Sequence, residues 1–239
     1  FLEPPKEFRK EDILPWKFNR ELSYLRRPFI IQNETVYWSN RHLYYCGQYL
    51  IDLCLGGRLK AKSEKMKNLI SKYQNIKGEK FNNLVESLFS SFEFLITKSQ
   101  VKKIGSKRIE GEKGDLGDID VLVINARAKV VYVLECKDLS IARNPYEVHH
   151  ELNNLFVGTK KKPSIVEKHS RRTTWIMNNL DFMLSNYGVS TKGKWVVKPL
   201  VVIDEEMISP YLYKEKKGMR VISFNQLKEE LESGKFLRK

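Results

Sequence analysis

The sequence predicts an α/β protein, a mixed β-sheet flanked by helices and preceded by an α-rich N-terminal region. Three observations carry that expectation. Residues 121–124 (Val-Leu-Val-Ile) and 130–134 (Val-Val-Tyr-Val-Leu) are short apolar runs rich in β-branched types, separated by Asn125-Ala-Arg-Ala128. They read as two buried strands joined by a turn. Segments with apolar residues at helical spacing alternate with such runs in the order helix, three strands, two helices, strand, then a helix or strand. Finally, 239 residues of which 41% are hydrophobic suffice for one large or two small domains with a true core. We place an accessory region, helical with a small hairpin, at 1–75 and the main domain at 76–239.

Taken in order, residues 1 to about 20 are rich in Pro and charge and read as an extended lead-in. Phe18, Leu22 and Leu25 give a short helical or turn-like pattern that Pro28 stops. Residues 29–31 and 35–38 flank Gln32-Asn-Glu34 as a small hairpin. Ser39 or Asn40 suits the cap of a helix running from Arg41 to about Leu55, closed by Gly56 and Gly57. Residues 61–77 are lysine-rich and weakly amphipathic, and Gly78 is expected to break the pattern. Phe81, Leu84, Val85, Leu88 and Phe89 then form one helical stripe, with 79, 82/83 and 86 on the other face. Residues 92–97 and 101–104 make the first strand. Residues 105–114, rich in glycine and charge, read as a loop, with Lys102, Lys103, Lys107 and Arg108 as a basic group in and beside it.

After the hairpin, Asn144 suits a helix cap and Pro145 the first turn of a helix to about Phe156. Residues 158–163 form a basic loop containing Lys160 and Lys161. Pro163 opens a long helix over 164–186, ended by Gly188, with Val166, His169, Ile176, Leu180 and Met183 on its apolar line and Lys168 and Arg172 on its polar line. His169 reads as a buried histidine rather than a catalyst. Residues 195–203 are a strand in which Pro199 implies a bulge or an edge position. Residues 219–223 are the last strand and 224–231 the final helix.

Composition narrows the function. Lys and Arg number 43 against 29 Asp and Glu, a net charge of +14, and a polyanion such as nucleic acid is the natural partner. An equally basic protein with no such partner, or one drawn to an anionic membrane, is the ordinary alternative. No run of apolar residues is long enough to span a membrane, and no signal peptide is expected. Cys46, Cys54 and Cys136 form no CxxC pair, which favours a reducing compartment, cytoplasmic or nuclear. The first residue is Phe1, which fits a processed chain or a piece of a longer one. The N-terminal third, with Arg20, Arg26, Arg27, Arg41, Arg58 and Lys60 among aromatics, suits a grip on nucleic acid, a cover for the sheet, or a docking surface for other domains or subunits of a larger protein.

The chemistry concentrates at the open end of the hairpin. Residues two apart on a strand share a face, so Asp118 and Asp120 point one way, as do Glu135 and Lys137. Pairing across the turn brings Asp120 and Glu135 to the same end. Two close carboxylates repel, and one takes up a proton or the pair binds a cation; a hard ion such as Mg²⁺ prefers such oxygens. A solvated strand end with a Glu–Lys pair is the plainer reading of the same residues.

The run Gly117-Asp-Ile-Asp120-Val-Leu-Val123, followed by Leu134-Glu135-Cys-Lys137 with the second acid fifteen positions after the first, resembles the PD-(D/E)xK nuclease superfamily. It is most similar to the Mrr and NERD branches, with Ile119 where other members carry proline. The resemblance covers about residues 78–224. It implies a restriction-endonuclease-like fold and a Mg²⁺-dependent nuclease, Mn²⁺ substituting, with a DNA endonuclease in defence, restriction or repair as first expectation. It implies that Asp120 and Glu135 bind the metal with the backbone carbonyl of Cys136, that Lys137 orients or deprotonates the attacking water, and that Asp118 holds a metal-bound water or a second ion. Glu79 completes the site from the helix, with Glu86 as the alternative. Lys107, Arg108, Lys160, Lys161, Lys168 and Arg172 are the nucleic-acid-binding candidates, DNA being favoured over RNA. A homodimer suits an enzyme that must cut two strands. The rivals are a non-cleaving nucleic-acid-binding module and a regulatory domain of a larger machine.

Overall fold

A computed structural model of the protein describes residues 28–112, 114–139, 141–142, 145–160, 162–213 and 219–237. The expected lead-in, the pattern at 18–25, the cap Asn144 and the candidate Lys161 lie outside the described residues. The chain splits into two compact units, residues 1–77 and 78–239.

In the first unit, β1 (Ile30–Gln32) pairs antiparallel with β2 (Thr35–Tyr37), Ile31 facing Val36. Asn33 and Glu34 turn the chain with φ of 47° and 62°, the left-handed conformations that a two-residue hairpin turn requires. Helix α1 (Asn40–Leu55) follows Ser39, whose backbone is extended but whose side chain makes no capping bond. Gly57 follows the helix at φ 65°, a left-handed conformation that favours glycine, and a Cβ there would also push the Gln74 side chain aside.

Helix α2 (Glu64–Ser90) is one 27-residue helix. The expected break at Gly78 does not occur. A mid-helix glycine costs about 1 kcal/mol relative to alanine, too little to interrupt a helix whose flanks here are Lys77, Glu79 and Lys80. Phe81, Val85 and Phe89 bury the stripe that holds its second half to the sheet, while Leu84 stays exposed.

The second unit is built on a five-stranded mixed sheet. Its first strand is β3 (Leu95–Val101). Two small ribbons follow where a loop was expected: β4 (Lys103–Ile104) with β5 (Lys107–Arg108), and β6 (Glu110–Gly111) with β7 (Gly114–Asp115). Ile104 and Ile109, each 1% exposed, anchor this segment in the core, which is why it is ordered despite its glycines. Then come β8 (Ile119–Asn125) and β9 (Val130–Lys137), antiparallel to each other, with β3 antiparallel on the outer side of β8. The Asn125 side chain accepts the Ala128 N–H across the turn.

The chain crosses over through α3 (Pro145–Leu152), a π-helical turn (Asn153–Val157), α4 (Ile165–Asn178) and α5 (Leu180–Asn186). It returns as β10 (Val196–Ile203), parallel to β9. A short α6 (Ser209–Leu212), β11 (Arg220–Ser223) parallel to β10, and α7 (Phe224–Glu232) complete it. The sheet order is β11-β10-β9-β8-β3. Pro199 therefore sits in an inner strand. Its missing donor is tolerated because β11 pairs with β10 only from Leu200 onward, leaving that side of position 199 unladdered.

Two corrections concern helices. The long helix expected over 164–186 is broken at Asn179, which leaves helical geometry (φ −117°, ψ 23°) while its amide donates to the Trp175 carbonyl. And Glu151, unremarked in the sequence, is buried, its two oxygens accepting the Ala142 and Ser209 N–H groups, which ties α3 to α6.

The layers follow from strand alternation. Val121, Val123, Tyr132, Leu134 and Cys136 face the α2 and α7 side. Leu122, Ile124, Val131 and Val133 face Ile176, Met183 and Leu184 of α4 and α5. The result is a mixed α/β layering with helices on both faces of a mixed sheet.

A Cβ at Gly78 would meet no atom within 4 Å. Gly78→Ala is therefore expected to raise unfolding stability by roughly 0.5–1 kcal/mol, read by urea denaturation. A loss of stability would mean that this position bends in solution.

Candidate active site

The register of the hairpin builds the site. Val121 pairs with Leu134 at the open end of the β8–β9 ladder, so the next residues outward are Asp120 and Glu135, on the face covered by α4. Both are buried, at 7% and 2% exposure. Asp120 Oδ2 accepts the Cys136 N–H at 2.7 Å. Lys137, half-buried, places Nζ 2.8 Å from Glu135 Oε1 and 3.5 Å from Asp120 Oδ2.

From α4 comes Arg172. Its Nη1 donates to Glu135 Oε2 and to the Asp118 carbonyl, the latter at 2.7 Å. His169, one turn earlier and fully buried, has Nε2 2.9 Å from the Val133 carbonyl. Nε2 is thus the protonated nitrogen, and Nδ1 is a lone pair 3.8 Å from Glu135 Oε2 with no hydrogen bond among the described residues.

The electrostatics follow. Burial pushes the Asp120 carboxyl up to about 6, helped by the Glu135 charge and opposed by Lys137, the Cys136 N–H and Arg172. Burial acts on Glu135 in the same sense, but Lys137 and Arg172 outweigh it and hold the carboxyl below its ordinary value. Burial works against the Lys137 ammonium, yet Glu135 and Asp120 win and its pKa is raised. Burial takes His169 down to about 4, so it is neutral. Burial also lifts the Cys136 thiol well above its ordinary value, and its side chain lies in the core on the far face of the sheet.

The structure thus brings Asp120, Glu135 and Lys137 together, with the Cys136 backbone beside them. Asp118 contributes a carbonyl. Glu79 is exposed and Glu86 half-buried, both on α2 and off its buried stripe; among the described residues no group of three or more His, Cys, Asp or Glu stands close enough to hold a metal. Neither glutamate joins the pair, because the stripe at 81, 85 and 89 seats α2 on the opposite face. Of the basic candidates, Lys107 and Arg108 are exposed on β5, the former donating to Asn179 Oδ1 at 3.1 Å and lying 4.5 Å over the Phe182 ring. Lys160 is exposed and Lys168 half-buried. Arg172 is corrected from a polar helix face to a buried partner of Glu135. The spacing 166, 169, 172/173, 176 carried that signal, since all of these residues are buried, but a charged residue type concealed it.

The donor set can be tested against a divalent ion. Asp120 Oδ1 has no hydrogen bond or ion pair among the described residues, the Cys136 N–H and Lys137 both meeting Oδ2. The Cys136 carbonyl points to the same neighbour as its N–H, as in any extended strand. Mg²⁺ typically takes one or two carboxylates and fills its shell with water, so the residues present fit it.

The fold and site define a mixed α/β protein with a buried acid–base cluster at the open end of a hairpin. The chain belongs to the Upx-like family of anti-phage proteins, whose family model matches residues 1–214. Membership supports a role in defence against phage. No curated protein and no solved structure matches the chain. Among the described residues no helix is long and apolar enough to cross a membrane.

Because the folded Asp120 pKa is raised, its favourable contribution is full below the unfolded value near ~4 and is lost as pH rises through about 6. Asp120→Asn removes that loss. Relative to the parent, the variant should gain roughly 2–3 kcal/mol between pH 4 and pH 8 in EDTA, measured by urea unfolding at several pH values. A difference independent of pH would contradict the assignment.

Proposed function

We propose that the protein is a metal-dependent nuclease of phage defence, hydrolysing phosphodiester bonds of nucleic acid, with DNA the favoured substrate. The observation that carries this reading is the convergence of Asp120, Glu135 and Lys137 at one hairpin end, with the Asp and Glu-x-Lys spacing that resembles PD-(D/E)xK nucleases. The helix before the sheet, the three antiparallel strands and the helical crossover to a parallel strand agree with a restriction-endonuclease-like arrangement. The net charge of +14 suits a polyanionic substrate.

Asp120, Glu135 and the Cys136 carbonyl would hold the ion, which when bound supplies Lewis acidity toward a phosphate oxygen and a coordinated water. Lys137 is an ammonium at neutral pH, since its pKa is raised. As an ammonium it would orient the attacking water by a hydrogen bond and offset the charge building on the phosphate; taking up that water's proton would first require Lys137 to give up its own. Arg172 neutralises the inner oxygen of Glu135. Lys107 and Arg108, exposed, would contact the phosphate backbone without reading sequence.

The alternative is a fold that grips nucleic acid without cutting, and one observation favours it: no third acidic side chain completes the cluster among the described residues. Labelled DNA and RNA incubated with Mg²⁺, Mn²⁺ or EDTA separate the two. Cleavage should require the metal and fall by at least ~100-fold in Asp120→Ala, Glu135→Ala and Lys137→Ala, while nucleic-acid affinity stays within a few-fold. Full cleavage by Asp120→Ala and Glu135→Ala would remove the assignment.

A further inference from the structure

The β8–β9 ladder ends at Val121 and Leu134, yet the groups that matter lie beyond it. What holds the two strands together there is side-chain chemistry. One link is Asp120 Oδ2 to the Cys136 N–H. The other is Arg172, whose Nη1 bonds the carbonyl of Asp118, two residues before Asp120, and the Oε2 of Glu135, two residues before Lys137.

We propose that Arg172 is a positioning residue for the hydrolysis, one guanidinium that ties β8 to β9 at the open end and decides which oxygen of Glu135 faces the reacting side. The proposal rests on the nuclease reading for its catalytic consequence, though not for the clamp itself.

Glu135 has two oxygens and two cations. Arg172, 7% exposed, takes Oε2 on the inner side, and Lys137, with its side chain 34% exposed, meets Oε1 on the outer side. Oε1 is thereby turned toward Lys137, the residue that also approaches Asp120. No other buried group can replace Arg172. His169 is the remaining neighbour of Oε2, and it is neutral, with its one N–H committed to Val133 and its lone pair turned to the carboxylate. Without Arg172, Glu135 would be left buried against a lone pair, and a carboxylate so placed recoils, protonates or turns both oxygens to the outer cation. Both bonds come from the single Nη1, so a lysine ammonium could donate to the same two acceptors, but it is more strongly hydrated and costs more to bury, and it would substitute only in part. Thr173, beside it on the helix, spends its hydroxyl on the His169 carbonyl and offers no replacement donor.

The role is distinct from gripping substrate. Arg172 is buried, so its loss should disturb the carboxylate geometry, and through it cation binding, before it disturbs nucleic-acid affinity. Residues that orient ligands in this way typically change metal affinity or activity roughly 10–100-fold when replaced.

The test uses the full chain with Arg172→Lys and Arg172→Gln. Arg171→Met is the control, because Arg171 is exposed and pairs with Glu167 along the same helix. Three readouts are needed: Mn²⁺ affinity by calorimetry without nucleic acid, single-turnover cleavage beside binding of a labelled duplex, and amide hydrogen exchange over residues 118–123 and 133–138. Arg172→Gln should weaken Mn²⁺ binding and slow cleavage by roughly 10–100-fold, with duplex affinity unchanged within a few-fold. Exchange should quicken at both strand ends. Arg172→Lys, which keeps the charge and the fold, should recover part of each effect, and Arg171→Met should change none. Duplex affinity falling in step with the rate at unchanged Mn²⁺ affinity would overturn the proposal, since Arg172 would then touch the phosphate. Unchanged exchange at both segments in both Arg172 variants would overturn it as well. If the parent protein neither binds Mn²⁺ nor cleaves, the nuclease reading fails, and the exchange data alone decide the clamp.

Discussion

Glu135 is a carboxylate 2% exposed, near the end of a strand that is apolar up to Leu134 but for the Tyr132 hydroxyl. Burying an isolated charge is prohibitive, and a buried carboxylate persists as an anion only with cations and donors around it. The surroundings read as the answer to that demand. Lys137 supplies one cation from the same strand, Arg172 a second from α4, and His169 stays neutral because burial outweighs the attraction of the carboxylate. Asp120 is the partner left under-compensated. Its raised pKa comes first from burial and then from the neighbouring Glu135 charge, which Lys137 and Arg172 do not offset in full.

The sheet decides where this chemistry can be. Both strands of the hairpin are buried on two faces, so parity assigns the paired side chains to one helix layer or the other. Even positions of β8 and odd positions of β9 face α4, and these include Asp120, Glu135 and Lys137. From Val121 onward the odd positions of β8, with the even positions of β9, face α2, and these include the Cys136 thiol; Ile119, at the open end, joins the cluster of Ile176 and Met183 instead. One helix layer therefore borders the polar cluster and the other packs an apolar face. A one-residue slip of β9 against β8 would turn Glu135 and Lys137 toward Phe81, Val85 and Phe89 while Asp120 stayed, splitting the cluster between the two faces.

Much of this was legible in the chain. The two apolar runs, their turn and the shared end of Asp120, Glu135 and Lys137 follow from local pattern, because strand parity is a local rule. Less visible were features settled by tertiary packing. Gly78 looked like a stop, but helix propensity is a weak prior beside the burial of Phe81, Val85 and Phe89. Residues 105–114 looked like a loop, but Ile104 and Ile109 pin them as ribbons. Arg172 looked like surface because arginine usually is; its burial rests on Glu135, which lies 37 positions earlier, and on the Asp118 carbonyl. Asn179 broke a helix by hydrogen bonding to its own turn, a competition that apolar spacing does not register. The fourth acid, sought at Glu79 or Glu86, depended on the phase of α2, and that phase is set by its apolar stripe.

Family membership supports a role in phage defence, and a cation held between Asp120 and Glu135 is the claim on which the proposed nuclease reading turns. Crystals soaked in Mn²⁺ test it most directly, through anomalous scattering. The account predicts a peak at about 2.0–2.4 Å from oxygens of both carboxylates, with Lys137 withdrawn from Glu135 Oε1 and Arg172 still on Oε2. Saturating Mn²⁺ that leaves no peak there, with Lys137 still paired to Glu135, would contradict it.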